Sequence, residues 1–109
     1  MITHLPFTAT TASGERFEIS FPLHPHTASP VRVSQIVSAV LEAVDREVSV
    51  SPTTANGDIL QAVAMALAIR ASMIEAPKEM TDRLAIDVVK TSLTAMNDAD
   101  RDYVHVGHA

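Results

Sequence analysis

The chain contains no cysteine and no tryptophan, and across 109 residues it carries only one tyrosine, three phenylalanines and three glycines. Without cysteine there are no disulfides, no thiolate nucleophile and no Cys-based zinc or iron–sulfur site. The three glycines stand far apart at Gly14, Gly57 and Gly107, so no phosphate-cradling glycine loop can form, and no G-x-S-x-G nucleophile elbow is present. The longest uninterrupted apolar run, residues 62–69, falls well short of the roughly 20 residues a membrane span needs. Met1 leads into Ile2, Thr3 and His4 without a basic segment, so no secretory signal is expected. The reading is a soluble, cytoplasmic, bacterial-type protein, although a cysteine-free chain also survives in an oxidising compartment. Positive charge is scarce as well. Thirteen acidic residues oppose eight basic ones for a net charge of −5, and the basic residues are scattered rather than clustered. With so few rings to stack bases, direct nucleic-acid binding is not expected.

What the chain does have is aliphatic surface. Apolar residues make up 47% of the sequence although aromatics contribute only 4%, so the core must be built from Ala, Val, Leu, Ile and Met. A mean hydropathy of +0.17 in so short a chain points to an apolar face left over for a partner. The length suits one domain.

Residues 1–23 read as a β-hairpin. Leu5, Phe7 and Ala9 alternate on one strand, and Phe17, Ile19, Phe21 and Leu23 on the other. A loop of Ala12, Ser13 and Gly14 closed by Thr11 and Glu15 places Gly14 in the left-handed position and pairs Ala9 with Phe17, Phe7 with Ile19 and Leu5 with Phe21. Pro6 marks the first strand as an edge, or interrupts its pairing. After Pro22, Pro25 and Pro30, an amphipathic helix is predicted over 30–48, capped by Ser29 or by Ser34. Its apolar stripe is Val33, Ile36, Val37, Val40, Leu41, Val44 and Val48. A second helix over 57–75, capped by Thr54 or Asn56, is apolar almost all round, as a helix enclosed by neighbours would be. A third, over 77–97 with Pro77 at its first position, carries apolar residues over an arc of roughly 240° and is either central in the monomer or packed on a second subunit. Residues 98–109 are left as a tail, with 103–108 a tail or a late edge strand. The fold class is α+β: an N-terminal β-hairpin followed by three helices, the last two an antiparallel helical hairpin.

Few residues suggest chemistry. His24 and His26, and His105 and His108, lie in loops or the terminus, where a metal lacks three or four rigid ligands. Asp98, Asp100 and Asp102 copy the opening of a calcium loop, but Tyr103 stands where glycine is required and Ala109 where a bidentate Glu is required. No metal, cofactor or catalytic residue is therefore nominated. Met65, Met73, Met80 and Met96 are either core filling or the lining of an adaptable groove.

The most informative feature is Arg70, set among Ile59, Val63, Ala66, Leu67 and Ile74 on one helical face. In a hairpin turning near Ala76, Asp82 stands level with it, so the two are expected to meet as a partly buried ion pair; an unpaired Arg70 would instead be an anion-binding residue. Met80, Leu84, Val88, Val89, Leu93 and Met96 are the candidate dimer or groove residues of the third helix. The expected function is a small acidic homodimeric interaction module (adaptor, regulator or chaperone-like) acting on an unidentified protein. The alternative is a small-molecule binder or enzyme using a helical groove near Arg70.

Overall fold

The computed structural model describes residues 3–11 and 13–103. The chain opens with β1 (His4–Thr10) and β2 (Glu15–Pro22), continues through α1 (Pro30–Val50), α2 (Asn56–Ser72) and α3 (Lys78–Ala95), and returns by a short 3-10 turn to β3 (Asp100–Tyr103). The class is α+β, with a three-stranded antiparallel sheet in the order β1-β2-β3.

The hairpin has the register that alternation and Gly14 dictate: Leu5 opposes Phe21, Phe7 opposes Ile19 and Ala9 opposes Phe17. Gly14 adopts a positive φ of 89°. The Thr11 N–H donates to the Glu15 carbonyl at 2.8 Å, and the Glu15 N–H donates to the Thr11 hydroxyl at 3.0 Å. At the far end the Leu23 N–H donates to the Thr3 carbonyl. Odd-numbered residues of β1 thus bond β2, and even-numbered ones turn their backbone groups outward. Pro6 occupies an outward position, so its missing N–H removes no bond from the ladder and blunts a free edge. Phe7 and Ile19 are buried on the odd-numbered face, where α3 packs on β2 and α1 approaches β1.

The C-terminal strand corrects the reading of residues 98–109 as a tail. Residues 100–103 pair with β2 through Arg101 opposite Phe17 and Asp100 opposite Glu18. Two side-chain contacts hold the strand where apolar alternation is missing. Arg101 forms an ion pair with Glu15, and its guanidinium lies over the Phe17 ring at 5.2 Å from the centroid.

Local signals set the helix ends. Ser29 caps α1, its hydroxyl accepting from the Arg32 N–H at 3.2 Å, and Pro30 follows at the first position. Neither Thr54 nor Asn56 caps α2: Ala55 holds the cap position without a side-chain bond, and Thr54 donates its hydroxyl to the Ser51 carbonyl instead. This helix stops at Ser72, earlier than its periodicity suggests. The Met73 and Ile74 N–H groups fold back to the carbonyls three residues behind, and Pro77 then forces extended backbone ahead of α3. Pro77 caps α3 rather than opening it.

Ala71 and Thr81, equidistant from Ala76, are the buried residues of the α2–α3 crossing. Elsewhere the helices are thinly covered. Among the described residues of α1 none is buried, and in α2 only Ala71 is. The chain exposes 8696 Å², against about 5,900 Å² for a compact monomer of its mass. Its radius of gyration is 15.6 Å, against about 13 Å for a compact domain of this length.

Replacing Gly14 by alanine puts a Cβ on backbone that L-residues avoid. Gly14→Ala is expected to destabilise the fold by about 1–2 kcal/mol, read as a lower urea midpoint with an unchanged slope at fixed protein concentration.

Candidate functional site

Arg70 and Asp82 do not meet. Asp82 pairs with Lys78, one turn earlier on its own helix, and Arg70 directs its Nη1 to the Met73 sulfur at 3.1 Å. Helix handedness explains the separation. Ala71 and Thr81 face each other across the crossing, so Arg70 is one step back along α2 and Asp82 one step forward along α3. Viewed down the hairpin, the helices run in opposite directions. A backward step on one and a forward step on the other therefore rotate by about 100° in the same sense, carrying the side chains to opposite sides of the seam. The two residues stand level, as counting from Ala76 requires, and line different grooves.

On the Arg70 side lies a groove of about 330 Å³, walled by Leu67, Ile74, Leu84 and Val88 with Thr81 at its floor. His24 and His26 close one end, brought there by the proline-bounded connection between the sheet and α1. Their rings meet edge to face at 4.9 Å. The His26 N–H donates to His24 Nδ1 at 3.1 Å, so in the neutral ring the proton sits on Nε2 and makes it a donor. Among the described residues no carboxylate lies within ion-pair distance of Arg70. The groove thus combines an apolar wall with a guanidinium and an imidazole donor, a set that suits a carboxylate carrying an apolar body. Sequence reasoning placed both histidines in a loop, where His26 is exposed and His24 partly covered, but did not bring that loop to the groove. The three prolines were the available signal, since they fix where so short a connection can go.

On the Asp82 side a larger groove of about 540 Å³ runs between α2 and α3, lined by Ala64, Leu67 and Ala68 on one wall and Ala85, Ile86 and Val89 on the other. A third, of about 340 Å³, separates Val44 and Val48 of α1 from Ile59 and Val63 of α2. The structure divides the candidate residues of α3 among these surfaces. Leu84 and Val88 face the Arg70 groove, and Met80 borders its continuation toward Arg83 and Asp87. Val89 lines the α2–α3 groove, whereas Leu93 and Met96 stand exposed beyond it. Ile86, Val89 and Leu93 follow a heptad-like spacing along one exposed stripe of α3, which Met96 continues into the 3-10 turn.

Asp100 lies in β3 and Asp98 in the preceding 3-10 turn, so the acidic triplet is drawn out along a strand rather than wrapped into a loop. Ala109, His105 and His108 fall outside the described residues.

A double-mutant cycle follows from this geometry. Arg70→Ala and Asp82→Ala should lose stability additively, with coupling below about 0.5 kcal/mol. Lys78→Ala and Asp82→Ala should couple by about 0.3–0.5 kcal/mol at low salt, a signal that fades as salt rises. Comparison with protein-family models, with curated proteins and with solved structures finds no match for this chain.

Proposed function

We propose that this chain is a non-enzymatic interaction module, an adaptor, regulator or chaperone-like protein, that works as an acidic homodimer and offers amphipathic helix surface to another protein. One observation carries the reading: aliphatic side chains that should form a core stand in solvent along all three helices, including Ile36 and Val40 on α1, Leu60 and Met65 on α2, and Ile86 and Leu93 on α3. Apolar surface of this extent and continuity marks a site of association. α1 suits a heterologous partner best, because its apolar stripe is regular and, among the described residues, α1 borders the rest of the chain near β1 and at its C-terminal end. Such a helix lays its stripe into a partner's hydrophobic groove.

A second reading rests on Arg70, which among the described residues has no carboxylate within ion-pair distance. The groove it shares with His24 fits a small anionic amphiphile, and octanoate or benzoate are direct probes of it.

Titration and capture separate the two. If the chain is an interaction module, a tagged copy in its native host retains a specific protein, and Ile36→Asp abolishes that capture while leaving the fold intact by circular dichroism. If the second reading holds, calorimetry instead detects octanoate or benzoate binding that weakens by about tenfold or more in Arg70→Met, and no protein depends on Ile36. Capture that survives Ile36→Asp unchanged contradicts the assignment to α1.

A further inference from the structure

We infer that the α2–α3 groove and the uncovered side of α2 are filled by a second copy of this chain, in a twofold interface for which α2 is the central helix. The inference deepens the dimeric part of the function proposed above and rests on it.

The first support is the composition of α2. Its seventeen residues include only two charges, Asp58 in the first turn and Arg70 in the last, and residues 59–69 between them hold a single polar side chain, Gln61. A helix without a polar face is stable in water only when covered on several sides. Its own chain covers one side of it. α3 meets its C-terminal half through Leu67 and Ala71, and α1 borders its N-terminal half near Ile59 and Val63, and these four residues, spaced by four, run along a single side of the helix. Met65 and Ile69, 55% and 63% exposed, mark the opposite side, which the chain leaves uncovered. A twofold axis beside the middle of α2 lays the partner's copy of the helix on this side, because an isologous contact presents the same patch from both copies.

The second support is area. The chain exposes 8696 Å², about 2,800 Å² more than a compact monomer of its mass. A standard interface needs about 800 Å² from each partner, and obligate dimers take more. The excess is therefore large enough for an obligate, core-like interface. It also suits the cleft: the groove between α2 and α3 takes in Ile86 and Val89 and is walled mostly by aliphatic side chains, with Ser72, Lys78, Asp82 and Lys90 as its polar members. The single acid beside this cleft, Asp82, is already neutralised by Lys78.

The absence of cysteine makes the test clean. Single-cysteine variants of the full chain, Met65→Cys on α2, Leu93→Cys on α3 and Thr8→Cys on the outward face of the sheet, are labelled with a bulky maleimide. Light scattering on the parent chain is expected to give twice 11.7 kDa at micromolar concentration. Met65→Cys and Leu93→Cys are expected to label at least about tenfold more slowly than Thr8→Cys, and Met65→Glu to lose the dimer mass. Because Met65→Glu can fail to fold, the labelling pattern stands as the independent readout. A parent chain of monomer mass overturns the inference, and so does a dimer in which Met65→Cys labels as fast as Thr8→Cys. A dimer with α2 and α3 protected but no heterologous protein captured leaves this inference standing and removes only the adaptor reading.

Discussion

A helix apolar on every side cannot be left in water, and the organisation of this chain follows from that constraint on α2. Helix propensity alone does not hold such a segment together, since isolated helices of this length are marginal and draw their stability from packing. Yet α2 buries only Ala71 within its own chain. The hairpin with α3 fixes one end through two small residues, Ala71 and Thr81, which let the backbones approach closely at the crossing. Farther from the turn, grooves lie on either side of the seam between the two helices. The chain thus consists of a small sheet–helix unit and a helical arm whose apolar surface exceeds what one copy can cover.

The sheet is the part that one copy completes. Phe7 and Ile19 form its buried centre, and α3 packs on β2 to close it. β3 protects the other side of β2, so the free edges are β1, blunted by Pro6, and the short acidic β3 itself. Polar and charged edges of this kind resist edge-to-edge pairing, so the proposed association falls to the helices.

The hairpin was fully legible in the sequence because two independent signals agreed there: period-two alternation on both strands, and a glycine at the one loop position that requires positive φ. β3 was not legible. Its residues, Asp-Arg-Asp-Tyr, show no apolar alternation, and the strand is held by Arg101 reaching across to Glu15 and Phe17, residues distant in sequence. The helices were legible as elements but less so at their ends, where backbone geometry around Pro77 outweighed side-chain periodicity. The Arg70–Asp82 expectation failed for an instructive reason. Counting from the turn gave the correct height for both residues, but height alone ignores the rotation each step imposes, and in an antiparallel pair that rotation separates residues flanking a facing pair. The Arg70 groove was half visible: the misplaced charge could be read from the helix, whereas His24 and His26 reach it only through tertiary structure.

The central claim, that α2 is covered by association, is tested most directly by amide hydrogen exchange resolved along the helix. If α2 lies in an interface, amides of residues 62–69 exchange as slowly as those of β1 and β2, since opening them requires separating the copies. If α2 stands in solvent, those amides exchange by local fraying while the sheet amides remain protected, and that result would contradict the account.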